Sequence, residues 1–279
     1  MTLSELCKKD VIQVPLGANL GRADDLRFDP QTAALEGLVL LGRPRLFGLL
    51  GRQEDVFIPW REIDAIGADV IEIGVPFSDP VADGPVVEDA SRRALEQGVS
   101  LNWIMDGLKQ RAGNFKAGIV LMGYLNPFLQ YGLERFAADA AQAGVSGCIV
   151  PDLPLDESSP IRATLKAHGI DLIALVGQNT SEERMREYAA VSEGYVYVVS
   201  VLGTTGARTG LPPQVEETLR RARKAFNLPL ALGFGLQHPD QLAAIPADIR
   251  PDAAVFGSAL LKHLDKGNTA KAFLEVWTR

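Results

Sequence analysis

From residue 69 onward the chain repeats one pattern: a short apolar run, a loop rich in Gly, Pro, Asp and Asn, then a stretch with apolar residues at helical spacing. The apolar runs are DVIEIGV (69–75), AGIVLMG (117–123), SGCIV (146–150), DLIALV (171–176), YVYVVS (195–200), LPLALGF (228–234) and DAAVFGS (252–258). The helical stretches between and after them are VEDASRRALEQG (87–98), LERFAADAAQAG (133–144), PIRATLKAHG (160–169), SEERMREYAAVS (181–192), QVEETLRRARKAF (214–226) and SALLKHL (258–264). Runs that are apolar almost throughout, alternating with helices, indicate a parallel sheet covered on its outer face. Right-handed βα units that close on themselves want eight strands. Seven runs follow residue 68, so a single (βα)8 TIM barrel over residues 1–279 predicts one more strand within residues 1–60. A doubly wound open sheet is the competing architecture; it wants a Gly-rich turn after its first strand, and none is evident.

The N-terminal sixty residues are irregular. VIQVPLGA (11–18), LEGLVLLG (35–42) and RLFGLLG (45–51) each read as the missing strand, and IPWREIDAIG (58–67) reads as a short helix with Pro59 in its first turn. Leu-Gly-Arg recurs at 20–22, 41–43 and 50–52, without the fixed period that a structural repeat requires.

Composition narrows the class. The formal net charge is −7, which gives nucleic-acid binding no support. The one basic run, LRRARKAF (219–226), falls at helical spacing and reads as a solvated helix face. The chain has 2 cysteines, and Cys148 sits in an apolar run, so no disulfide framework is expected and the compartment reads as reducing. No apolar stretch approaches the ~18–20 residues of a membrane span, and MTLSELCKKD has no signal-peptide core. A cytoplasmic protein is expected.

Candidate chemistry begins at ADVIEIGVPFSDPVADGP (68–85). In a (βα)8 barrel the C-terminal ends of the strands and the βα loops build the active site. Alternation turns Glu72 to the face opposite Ile71 and Ile73. If that face is the barrel interior, desolvation raises its pKa and suits it to proton transfer near neutrality; the alternative is a Glu paired with Lys or Arg at a strand end. The following loop is stiffened by prolines, and its Asp83 can return over the barrel mouth, whereas Asp79 reads as a turn former or surface contact. Two late turns resemble a phosphate cradle: Gly233 and Gly235 where the sixth run ends, then Gly257 and Ser258 opening the last helical stretch, with Ser258 suited to cap it. GTTGARTGLPP (203–213) reads either as a mobile lid or as an ordinary surface loop. The three histidines, His168, His238 and His263, share no metal-ligand spacing, and no lysine is placed inside the barrel for a Schiff base. Neither metal nor cofactor is expected.

IEIGVPFSDPVADGP closely resembles the α chain family of tryptophan synthase, the indole-3-glycerol-phosphate lyases. LMGYLNPFLQYG, VPDLPLDES, YVVSVLGTTGARTG, LGFG and VFGSALL continue the resemblance in the family's order over residues 61–279. It implies a single (βα)8 barrel and cofactor-free retro-aldol cleavage of indole-3-glycerol phosphate to indole and glyceraldehyde 3-phosphate. It places the catalytic carboxylates on Glu72 and Asp83, and the phosphate-binding amides on Gly206, Gly235, Gly257 and Ser258. Tyr124, Tyr197 and Phe234 match the indole pocket, and Thr205 matches a lid threonine that bonds the loop aspartate. It further implies a β-chain partner in an α2β2 complex, met by the Asp79–Pro80 loop, Asn126 and Pro154. Residues 1–60 depart from the family: no Thr-x-Gly-Asp-Pro-like turn is present, and Phe47 or Leu38 would have to stand in for an aromatic wall. VGQNTS (176–181) departs too. Two alternatives stay open: a stand-alone or specialised lyase, and a weakened barrel kept to bind and activate a β subunit.

Overall fold

The computed structural model describes residues 10–13, 18–22, 24–28, 35–41, 55–59, 70–115, 117–200, 213–233, 236, 238 and 240–277. The chain divides into two compact units, residues 1–67 with 278–279 and residues 68–277, where the sequence pattern leads one to expect a single domain.

The described part of the first unit is antiparallel throughout. Strand β1 (Asp10–Gln13) pairs with β2 (Ala18–Arg22), and β4 (Leu35–Leu40) runs between β3 (Asp25–Phe28) and β5 (Val56–Pro59). LEGLVLLG, a candidate for the first barrel strand, is therefore the centre of a three-stranded antiparallel sheet. Its apolar positions already have a use there: Leu38 and Leu40 are buried, and Leu38 lies opposite both Leu26 and Ile58. At the end of the β3–β4 pair away from its connection, Asp24 accepts the Leu41 N–H at 2.7 Å. VIQVPLGA supplies β1 and the first residue of β2; RLFGLLG with Phe47, and residues 60–67 of the expected helix, lie outside the described residues.

The second unit is built of parallel strands and helices, as the periodicity predicts. Its strands are β6 (Val70–Gly74), β7 (Gly118–Met122), β8 (Val145–Ile149), β9 (Asp171–Leu172), β10 (Ala174–Val176), β11 (Val196–Val199), β12 (Leu230–Gly233) and β13 (Ala253–Ala254). They form the orders β6-β7-β8-β9 and β10-β11-β12-β13, every pairing parallel. The segments β9 and β10 are one run interrupted at Ile173, whose N–H still reaches the Cys148 carbonyl at 2.9 Å. Each predicted run after residue 68 thus becomes a strand.

The helices are α1 (Pro85–Glu96), α2 (Leu101–Lys109), α3 (Leu125–Tyr131), α4 (Leu133–Gln142), α5 (Ser158–Ala167), α6 (Glu182–Val191), α7 (Pro213–Ala225), α8 (Asp240–Ala243), α9 (Ser258–Asp265) and α10 (Ala270–Trp277). Local chemistry sets their limits. Ser100 and Ser181 cap α2 and α6 by accepting N–H groups, and Gly144 and Gly169 follow α4 and α5 at φ of 80° and 73°, where a Cβ would be strained. Pattern reading misses α2 and α3, because no loop signal separates α2 from α1 by more than a few residues and Pro127 lies inside α3. In α3 that proline occupies the first turn, where its missing N–H costs nothing.

Alternation sorts the strand side chains into two layers. Ile119, Leu121 and Cys148 face outward into a cluster with Met105, Phe136, Ala140 and Leu165 from the helices. Val120, Ile149, Ile173 and Tyr197 pack together on the other face, inside the strand array. Cys148 is buried, as its apolar setting predicts. The basic run on α7 is only partly a solvated face. Arg220 and Lys224 are exposed, while Arg221 donates to the Gln178 carbonyl at 2.9 Å and Arg223 bonds Asp252 at 2.7 Å.

Candidate functional site

Glu72 is the third residue of β6, in register with Val120 of β7. Parallel partners in register share a face, so Glu72 points where Val120 points, into the interior layer of Ile149, Ile173 and Tyr197. Among the described residues no ion-pair partner meets it. Its Oε2 is buried without a hydrogen bond, and burial pushes the carboxyl up to about 7. The strand-end ion pair is thereby excluded among the described residues, and the desolvated acid stands.

The loop after β6 is anchored at both ends. Ser91 of α1 accepts the Phe77 N–H at 2.9 Å and donates back to the Phe77 carbonyl at 3.1 Å. At the far end the Tyr124 hydroxyl accepts the Ala82 N–H at 2.9 Å and bonds the Asp83 carboxyl. Phe77 also stacks on Tyr124 with ring centroids 5.3 Å apart. Asp83 is half-buried; burial raises its pKa, the Tyr124 hydrogen bond lowers it and Glu88 raises it, for a net upward shift. Gly123 lets Val75 approach the end of β7, since a Cβ there would stand 2.8 Å from that of Val75. Asp79 is exposed and bonds Ser78, in keeping with a turn residue.

Tyr197 is buried in the interior layer, its hydroxyl raised well above the ordinary value by burial and by the Glu72 charge. Its ring lies against Gly233 so closely that a Cβ at 233 would fall on the phenol. The glycine that closes β12 therefore makes room for the Tyr197 ring. Tyr195 also feels the Glu72 charge and is raised by burial; its place two residues before Tyr197, on the same strand face, is the signal sequence reading passes over. Ser91 and Asp152, whose Oδ1 accepts the Leu125 N–H at 2.9 Å, are likewise found only in the structure.

Gly257 and Ser258 start α9, but Gly257 is the N-cap and no side chain caps the helix, which corrects the expected capping by Ser258. A Cβ at Gly257 meets nothing within 4 Å, so the backbone there faces open space. Thr205, Gly206, Phe234 and Gly235 lie outside the described residues. Among the described residues no His/Cys/Asp/Glu group with metal-holding geometry occurs, and no helix is long and apolar enough to cross a membrane.

Comparison with known proteins gives this geometry relatives. Residues 52–276 match the family model of the tryptophan synthase alpha chain, and residues 1–78 match that of the PRC-barrel domain. A tryptophan synthase alpha chain of Nitratidesulfovibrio vulgaris strain Hildenborough is 61% identical over 240 residues, covering 85% of this chain and 93% of the relative. That of strain DP4 is 65% identical over 221 residues, covering 78% of this chain and 85% of the relative. Among solved structures, the Pyrococcus furiosus tryptophan synthase α2β2 complex aligns with a TM-score of 0.68 at 35% identity, over 74% of this chain and 83% of that one.

Proposed function

The chain belongs to the tryptophan synthase alpha chain family and is a lyase of tryptophan biosynthesis, and we propose that Glu72 and Asp83 of this chain carry the retro-aldol cleavage of indole-3-glycerol phosphate. The observation that carries the assignment is the Glu72 carboxyl, whose Oε2 is buried without a hydrogen-bond partner among the described residues. At a pKa of about 7 it holds a proton in part of the population and can release it at neutral pH. As the acid, it delivers that proton to the indole ring carbon bearing the glycerol chain. As the resulting carboxylate, it takes the proton from the adjacent side-chain hydroxyl. The O–H electron pair becomes the new carbonyl, the carbon–carbon bond breaks, and its pair restores the aromatic ring. Indole and glyceraldehyde 3-phosphate leave with the proton count unchanged. Asp83 accepts the indole N–H and stabilises the positive charge that develops on the ring. Tyr197 and Phe234 would flank the indole, and Tyr124, by bonding Asp83, would orient it.

Phosphate would be bound by the amides of Gly206, Gly235, Gly257 and Ser258. The open backbone at Gly257, ahead of the α9 N-terminus, supports that part. Thr205 would close the lid onto Asp83. The chemistry needs no cofactor. A tryptophan synthase β chain is the partner proposed, and the cytoplasm the compartment. Asp79, Asn126 and Pro154 are exposed, and so are the apolar Val81 at 82% and Leu129 at 51%, side chains suited to an interface. Indole release by the purified chain, with and without the β chain, tests the reading. Release that depends on Glu72 and rises with the β chain is expected; no release under either condition would overturn it.

A further inference from the structure

VGQNTS (176–181), a stretch that departs from the family, starts where β10 ends, and the function proposed above gives it no role. Pairing of β10 with β11 runs from Ala174↔Val196 through Leu175↔Tyr197 and ends, among the described residues, at Val176↔Val198. On its other side β11 is held further along. Its pairing with β12 reaches Val199↔Gly233, and the Ser200 N–H then donates to the Gly233 carbonyl at 3.1 Å. Toward β10 a side chain continues where the ladder stops: Gln178 Nε2 donates to the Ser200 carbonyl at 3.2 Å. Ser200 is completely buried, so water is poorly placed to replace that amide as the donor.

Gln178 is itself held in place. The Thr180 N–H closes a turn onto the Gly177 carbonyl at 3.0 Å, and Thr180 Oγ1 accepts the Gly177 N–H at 3.0 Å. Arg221 of α7 forks across the same turn, donating to the Gln178 carbonyl at 2.9 Å and to the Thr180 carbonyl. The group that depends on this tie is Tyr197. Leu175, Tyr197 and Val199 all pack in the interior layer, and Val199 lies opposite Gly233. The phenol passes over Gly233 so closely that a Cβ there would lie 2.1 Å from the hydroxyl oxygen. The place of the ring is therefore set by how the ends of β11 and β12 are aligned. We propose that Gln178, locked by Arg221, is a positioning residue for the lyase reaction: by holding Ser200 it fixes the end of β11, and with it the Tyr197 ring that flanks the indole. This rests on the reading of Tyr197 as a wall of the indole pocket. Small misplacements of groups that orient a substrate cost turnover well beyond the energy of the bond removed.

The test uses the full chain labelled with 3-fluorotyrosine, whose five tyrosines give fluorine resonances assigned by single Tyr→Phe variants. Gln178→Met keeps the length of the side chain and removes the donor. It is expected to shift the Tyr197 resonance, to leave that of Tyr131 on α3 in place, and to lower kcat for indole release about tenfold with KM changed by less than about twofold. Arg221→Lys keeps a charge but loses the fork, and should move the same resonance in the same direction by less. A wild-type chain that releases no indole, with the Tyr197 shift still seen in Gln178→Met, would refute the lyase reading while supporting the hold of Gln178 on Tyr197. The proposal is overturned if the Tyr197 resonance of folded Gln178→Met matches that of the wild type. It is overturned equally if the variant loses thermal stability with kcat intact, which would make the tie structural only.

Discussion

β6 and β7 lie side by side in register over five residue pairs, from Val70↔Gly118 to Gly74↔Met122, and have almost the same hydrophobic pattern. They meet different fates. In β7 Ile119, Val120 and Leu121 are all within 2% of complete burial, while β6 has no buried residue. The difference does not come from the strands' own residues, since VIEI is as β-prone as IVLM apart from its glutamate. It comes from neighbours: among the described residues β7 has a strand on each side and β6 has one. The strand with the less complete cover is also the one that carries the acid. A shared propensity therefore sets what each segment becomes, and position in the sheet sets how much that segment contributes.

The largest expected effect sharpens the functional half of the contrast. Glu72→Gln keeps the shape of the side chain but removes the transferable proton, so turnover should fall by roughly 10²–10⁴-fold with substrate binding retained. Near-normal turnover in steady-state assays would remove Glu72 from the mechanism. The same variant has a stability signature. Burial raises the folded-state pKa from 4.5 to about 7, so between those values the native state holds a proton that the unfolded chain has released. Wild-type stability should then decline as pH rises through this window, and Glu72→Gln should abolish that decline. Denaturant titrations of both proteins at pH 4 and above pH 7, expected to differ most at the higher pH, decide it.

Burial itself separates the two strands next. Ile119→Ala should cost about 2–5 kcal/mol, because it empties a closed core, while Ile71→Ala should cost less than half as much. Equal losses by urea unfolding would mean that β6 is enclosed after all. Gly233→Ala tests the interior layer: the added methyl collides with Tyr197, and about 1–3 kcal/mol of destabilisation is expected from thermal or chemical melts. The smallest effect belongs to the loop anchor. Ser91→Ala loses two hydrogen bonds to Phe77, so kcat should fall on the order of fivefold with KM nearly unchanged, and Ser91→Thr should restore it. Loss of stability with kcat intact would make Ser91 structural only.

The sequence by itself determined the βα alternation after residue 68, the inward turn of Glu72, the core place of Cys148 and the family. Each of these follows from period or motif, which a local stretch of chain carries with it. The cap assigned to Ser258 failed, and the Tyr197 ring against Gly233 went unread, because a G-x-G or G-S pattern looks the same whatever the glycine admits. Only the tertiary structure decided that LEGLVLLG joins an antiparallel sheet instead of a barrel. An apolar run can pair in either direction, and the choice is made by which partners lie within reach. Only the fold, too, could show that Ser91 and Tyr124 grip one loop from 14 and 42 residues away. Side chain–backbone bonds of that span leave no period in the sequence, because their spacing is set by how the βα units pack and not by the repeat of any one element.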